Sequence, residues 1–136
     1  MVGYKIKMYS LLDNIIYHLL CHLAMNTENH TEYNEMIKIV NYINQNYDKR
    51  IAVESLCSIC HFSPAHFRRL FLKHFGMSPL KYINKLRIEK AKELLAVEQC
   101  SVTECCERVG FTDISHFSTT FKKYVGISPY HYKKIL

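Results

Sequence analysis

The chain has no tryptophan, only four glycines and three prolines, and no long uninterrupted apolar run. Its most apolar stretch, residues 8–25, is broken by Asp13, Asn14, His18 and His22, which excludes a transmembrane helix. Nothing near residue 25 resembles a small-residue cleavage site, so a secretory leader is not expected either. These absences lead to the expectation of a cytoplasmic protein with no membrane partner. Also missing are a glycine-rich phosphate loop, a nucleophile–base pair and a carboxylate constellation. Without them the sequence makes no case for an enzyme.

Cysteine, by contrast, is plentiful, at positions 21, 57, 60, 100, 105 and 106. A disulfide framework belongs to small exported chains, so these are read as reduced thiols filling small apolar positions. At 136 residues the chain can bury one respectable core or two small ones. Charge is unevenly spread. Residues 1–48 carry three basic and five acidic side chains, net −2, whereas residues 49–136 carry fifteen and seven, net +8. A basic region after an acidic one points to a polyanionic partner for the former, while simple solubility would account for the same charge.

Met8, Leu11, Leu12, Ile15, Ile16, Leu19, Leu20 and Leu23 form a broad helical stripe over residues 6–24. The polar stretch 24–31 reads as a linker, and helical periodicity resumes over residues 32–47 through Met36, Ile37, Ile39, Val40, Ile43 and Tyr47. After a turn at Asp48-Lys49-Arg50 the sequence enters a duplication. Ile51-Ala52-Val53-Glu54-Ser55-Leu56-Cys57 corresponds to Cys100-Ser101-Val102-Thr103-Glu104-Cys105-Cys106 at an offset of 49. Beyond Phe62 and Phe111 the offset becomes 50, through one extra residue in the second turn. Phe67 then pairs with Phe117, Phe71 with Phe121, Gly76-Met77-Ser78-Pro79 with Gly126-Ile127-Ser128-Pro129, and Tyr82 with Tyr132. A periodic core alone seldom reproduces Gly, Ser-Pro and aromatic positions together, so one helical unit has been duplicated.

Each unit has a short helix (53–60; 102–109), a tight turn and a longer helix (64–75; 114–125). That is the helix-turn-helix plan, whose second helix can enter a major groove. Residues 79–95 between the units form one helix with Tyr82, Ile83, Leu86, Ile88, Ala91, Leu94 and Leu95 facing inward. Its length of roughly 25 Å suits two reading heads held about one DNA turn (~34 Å) apart. The expected fold is all-α: two homeodomain-like helix-turn-helix subdomains joined by a long linker helix, preceded by an amphipathic N-terminal helix. Domain boundaries are expected at 1–33, helix plus linker, and 34–136, the double helix-turn-helix.

In the first reading helix Ser63 is the N-cap and Pro64 takes the first turn. Phe67, Leu70, Phe71 and His74 share one face; Ala65, Arg68, Arg69, Leu72 and Lys73 share the other. Two arginines opposite an aromatic stripe suit direct readout, because the guanidinium fork pairs bidentately with guanine O6 and N7. Lys73 fits a phosphate contact. In the second reading helix Asp113 is the N-cap, Gly126 the stop, and Phe117, Phe121 and Tyr124 mark the buried face. Ile114, Ser115, Ser118 and Thr119 face outward, where methyls can meet thymine and hydroxyls can bond base edges or phosphates. Lys122 and Lys123 follow near its end as phosphate contacts. Lys81, Lys85, Arg87, Lys90, Lys133 and Lys134 could track the backbone or be plain solvated surface, and His66 and His116 are packing or phosphate neighbours.

These residues resemble the AraC/XylS family of bacterial transcription regulators. The resemblance covers residues 34–136. It rests on Val102-Thr103-Glu104, on Val109-Gly110-Phe111 with Phe117 and Phe121-Lys122-Lys123, and on Gly126-Ile127-Ser128-Pro129 with Tyr132. Arg87-Ile88-Glu89-Lys90-Ala91-Lys92-Glu93-Leu94-Leu95 in the linker helix reinforces it. It implies two helix-turn-helix subdomains that place one helix each in successive major grooves of promoter double-stranded DNA, with RNA polymerase as a further candidate partner. The implied base-facing positions are Ala65, Arg68 and Arg69, then Ile114, Ser115, Ser118 and Thr119. Thr119 stands where the family often has arginine, so the sharper base reading is expected from Arg68 and Arg69. Cys57 and Cys106 stand where the family usually has Ala at an inter-helix contact.

No cofactor or metal is expected. Cys57-Ser58-Ile59-Cys60-His61 has the spacing of a c-type haem attachment, but that chemistry belongs to exported proteins, and the duplication assigns Cys57 to a helix contact. A zinc site from Cys57, Cys60 and the Cys105–Cys106 pair lacks closed four-ligand spacing. The different-class alternative is a helical protein-interaction or RNA-binding module using the same basic face. Family members commonly carry an effector and dimerisation domain ahead of this region, whereas about thirty residues precede it here. The expectation is a fragment retaining that domain's last helix or a short regulator. The stripe Met8, Leu12, Ile15, Leu19 has coiled-coil spacing, so residues 6–24 are expected either to form a homodimer or to pack on their own domain or on the missing part of a longer regulator.

Overall fold

The computed structural model describes residues 12–16, 19 and 27–136. It divides into two compact units, Met1–Asn34 and Glu35–Leu136. In the first, residues 12–16 and 19 are helical, with Leu12, Ile15, Ile16 and Leu19 exposed. The rest of the expected 6–24 helix, Met8 included, lies outside the described residues.

Among the described residues seven further helices follow: α1 (Thr27–Asn46), α2 (Val53–Cys60), α3 (Pro64–Phe75), α4 (Pro79–Val97), α5 (Val102–Arg108), α6 (Ile114–Val125) and α7 (Pro129–Ile135). The start of α1 corrects the linker reading for residues 27–31, which are helical. A polar composition does not by itself exclude a helix.

The second unit holds two small cores. Met36, Ile39 and Ile43 of α1 pack with Leu56, Cys57, Cys60, Phe67, Leu70, Phe71 and Ile83. Ile88, Ala91 and Leu95 pack with Cys100, Cys105, Cys106, Val109, Phe111, Phe117 and Phe121. Helix α4 therefore serves both: its first turns close one core and its later turns close the other. At 19 residues it is about 28 Å long.

The duplication is also geometric. Phe67–Phe71 and Phe117–Phe121 have ring centroids 5.7 and 5.8 Å apart at 57° and 60°. Phe71–Tyr82 and Phe121–Tyr132 are both edge-on at 5.5 Å. Ser63, Ser78 and Ser128 each cap a Pro-led helix through the hydroxyl. Both reading helices end on a left-handed glycine, Gly76 and Gly126.

One face assignment changes. Tyr124 is 38% exposed, and Val125 packs on the core instead. Residues 117, 121 and 125 continue a single i, i+4 ridge, which Tyr124 leaves. The cysteines behave as small apolar residues: Cys57, Cys60, Cys100, Cys105 and Cys106 are buried free thiols. Burial pushes the Cys105 thiol up to about 12, so it stays protonated near neutrality, and its Sγ–H points at the Ala91 carbonyl. None of the described helices is long and apolar enough to cross a membrane.

Candidate nucleic-acid interface

The first reading helix, α3, starts because the Ser63 hydroxyl accepts the His66 N–H and Pro64 supplies a preset φ. Phe67, Leu70 and Phe71 anchor it, so Ala65, Arg68, Arg69, Leu72 and Lys73 are turned to solvent. No hydrogen bond or ion pair among the described residues engages Arg68. Arg69 is oriented: its Nη2 donates to His66 Nδ1 at 2.8 Å. The His66 ring in turn sits edge-on to Phe62 at 4.8 Å. This places His66 as a support for an arginine, a role its sequence position alone did not reveal.

In α6, Asp113 accepts the Ser115 N–H, while Phe117, Thr120 and Phe121 are buried. Ile114, Ser115 and Thr119 are exposed and Ser118 is half-buried. His116 repeats the His66 position, stacked edge-on against Phe111 at 5.3 Å, but Thr119 stands where Arg69 would be. Lys73, Lys122 and Lys123 are exposed in the last turns of their helices, and Lys81 is exposed in the first turn of α4. The two subdomains thus present analogous faces of unequal chemistry. One carries two guanidinium groups; the other carries hydroxyls and a branched aliphatic.

Two cations leave the set of backbone trackers. Arg87 donates from Nε to the Tyr47 carbonyl at 2.7 Å and from Nη2 to the Lys49 carbonyl at 2.8 Å. Burial lowers its pKa and the Asp48 carboxylate partly opposes this. Lys133 donates to the Cys100 carbonyl at 2.8 Å and the Gln99 carbonyl at 3.4 Å. Each satisfies carbonyls left over between helices, where no backbone partner exists. The sequence could not reveal this, because the acceptors are backbone atoms more than thirty positions away. Lys85 and Lys134 remain exposed, while Lys90 pairs with Glu93 at 3.8 Å.

The fold and this face define a class: a double helix-turn-helix protein whose two second helices both turn basic or hydroxyl-bearing side chains outward. Comparison with known proteins agrees. A helix-turn-helix domain family matches residues 56–135. The raffinose operon transcriptional regulatory protein RafR of Pediococcus pentosaceus is 37% identical over 95 residues, 70% of this chain and 34% of that one. The C-terminal domain of the two-component response regulator yesN from Fusobacterium nucleatum superposes with TM-score 0.70 at 34% identity, covering 74% of this chain and 98% of that one. The DNA-binding domain of the global transcriptional factor AdpA, solved with a target DNA, gives TM-score 0.70 at 26% identity, covering 73% and 89%. The chain belongs to the AraC/XylS family of transcription regulators, and it carries that family's double helix-turn-helix region. It spans less than half the length of the curated relatives it matches.

Proposed function

We propose that this chain binds promoter DNA in a sequence-specific way, with α3 and α6 in successive major grooves. The observation that carries the reading is the outer face of α3, where Arg68 and Arg69 stand opposite a fully buried aromatic ridge. In this reading Ala65, Arg68 and Arg69 face bases of one half-site, and Ile114, Ser115, Ser118 and Thr119 face the other. Lys73, Lys81, Lys122 and Lys123 bond phosphates and set the register without reading sequence. In this reading RNA polymerase is a candidate further partner, and the protein acts without catalysis in the cytoplasm, where promoter DNA resides in bacteria.

The test is a gel shift on duplex DNA across a range of salt. Phosphate contacts predict a linear fall of log affinity with log salt, at a slope of about −0.9 per phosphate neutralised. Four lysine contacts alone give a slope of about −3.6. Salt-insensitive or absent DNA binding overturns the reading and favours a protein-interaction module; a stronger affinity for RNA favours an RNA-binding one.

A homodimer through residues 6–24 is part of the same proposal. Leu12, Ile15 and Leu19 are 41%, 53% and 58% exposed, at spacings that a second copy of the helix would cover. Sedimentation gives the answer: a species that stays monomeric at high concentration ends the dimer.

A further inference from the structure

The two subdomains meet at one seam, and Arg87 is at its centre. Its guanidinium holds the Tyr47 and Lys49 carbonyls at the exit of α1, which belongs to the first core. Its Cζ also lies 5.6 Å from the centroid of the Phe111 ring, which belongs to the second. Phe111 packs against Phe117 at 5.3 Å and against His116 at 5.3 Å, both on α6. Beside it, Gly110 has φ +94°, and a Cβ there would lie 2.8 Å from the Tyr47 carbonyl oxygen. The backbone of the α1–α2 turn therefore rests directly on the turn that leads into the second reading helix.

Lys133 shows what such a cation does without a seam. It holds the carbonyls of Gln99 and Cys100 ahead of α5, much as Arg87 holds those ahead of α2. That contact stays within one subdomain. Only Arg87 adds the second attachment, for which a planar guanidinium is suited: its edge bonds two carbonyls while its face meets a ring.

We infer that Arg87, seated on Phe111 and backed by Gly110, is a positioning residue that fixes the spacing and rotational phase between the two reading helices. This makes the protein a ruler for the distance between half-sites. The inference rests on the two-groove reading above. The linker helix alone sets an approximate distance, but a helix joined at each end to a small core leaves those cores free to rock. A latch between them removes that freedom. One inserted base pair rotates the second groove by about 34° and moves it about 3.4 Å, which a latched pair cannot follow. Simultaneous engagement is then lost, and with it the gain from linking two binding modules.

The experiment uses the full chain and a bipartite site selected from random DNA, with one base pair inserted or removed between the halves. Wild type is expected to bind the altered spacings at least about tenfold more weakly than the selected one. Arg87→Ala and Arg87→Lys are expected to weaken the selected spacing and flatten that ratio to about threefold or less, with affinity for an isolated half-site unchanged. Phe111→Leu removes the ring that the guanidinium meets while keeping an aliphatic group in the core, and it should also flatten the profile. A readout without DNA separates this from the function itself: 15N relaxation should give one common tumbling time for both subdomains in wild type and two in Arg87→Ala. Overturning results are an unchanged spacing ratio in folded Arg87→Ala, or a shared tumbling time in that variant. Should wild type show the single tumbling time and bind no DNA, the two-groove reading falls while the latch stands.

Discussion

The two helix-turn-helix subdomains share a core and differ at their edges. Phe67, Phe71 and Tyr82 have counterparts in Phe117, Phe121 and Tyr132, with matching ring distances. The turn after the short helix holds a left-handed residue in both, at His61 directly after α2 and at Gly110 one residue further on after α5. His61 is exposed, so its side chain has room, whereas Gly110 has the backbone of Tyr47 and Asp48 against it. The first short helix starts on Ala52 with no side-chain cap; the second starts on Ser101 with a full capping box. The first reading helix carries Arg69 supported by His66, and the second keeps the histidine but has Thr119. A buried aromatic constrains its neighbours on every side, so the core has changed least. Caps, the outward faces of the second helices and the seam touch fewer groups and have diverged.

Exchanging the two turns should give the largest effect. Gly110→His puts a Cβ against backbone carbonyls that cannot rotate away and adds a side chain at a strongly positive φ. It is expected to cost about 3 kcal/mol or more in urea unfolding. His61→Gly places glycine where nothing crowds it and should change stability by less than about 1 kcal/mol. If Gly110→His is tolerated as well as His61→Gly, the turns are equivalent and the seam is not closely packed.

The readers come next. Arg68→Ala or Arg69→Ala should relax base preference at one half-site by about 1–3 kcal/mol, measured by competition against base-substituted sites. Ser115→Ala and Thr119→Ala should cost less, and Thr119→Arg should sharpen the weaker half-site if His116 can support an arginine as His66 does. Lys73→Ala should weaken all sequences alike. The sorting into readers and positioners fails if Arg68→Ala and Lys73→Ala lose affinity in the same sequence-independent way.

Much of this architecture was legible because its signals are local. Ser63-Pro64, Ser78-Pro79 and Ser128-Pro129 announce helix starts, Gly76 and Gly126 announce stops, and the aromatic spacing identifies both ridges. The solvent face of α3 followed from the same periodicity, since fixing Phe67 and Phe71 inside fixes Arg68 and Arg69 outside. What stayed hidden depends on partners distant in sequence. Arg87 looked like any surface cation because its acceptors are carbonyls that only the fold brings to it. Gly110 was legible as part of a motif, but its reason, the Tyr47 carbonyl, was not. Tyr124 was misassigned for a smaller cause: two ridges at i+3 and i+4 both satisfy a short aromatic pattern, and packing chose Val125. The polar start of α1 was misread because low apolar content resembles a linker when no neighbour is known.

The capping difference offers the finest test of the comparison. Ser101 accepts the Glu104 N–H at 3.1 Å, and the Glu104 carboxylate accepts the Ser101 N–H at 2.9 Å. Ser101→Ala removes one of these bonds and should cost about 1 kcal/mol, whereas Ala52→Ser should supply the missing acceptor for α2 and add a few tenths to about 1 kcal/mol. The Ser101 backbone N–H, and then its hydroxyl, hold the Glu104 carboxyl below the ordinary carboxylate range. A depressed folded-state pKa means that the cap stabilises fully above the unfolded value, and that this share is lost as pH falls through the folded one. Acid unfolding should therefore show a small added loss of stability below the usual carboxylate range. Glu104→Gln keeps an acceptor without a titrating proton and should remove that loss, giving up the same small share of stability near neutrality. An identical acid slope in wild type and Glu104→Gln would mean that the carboxylate cap adds nothing, and that the second short helix is held by Ser101 and its buried cysteines alone.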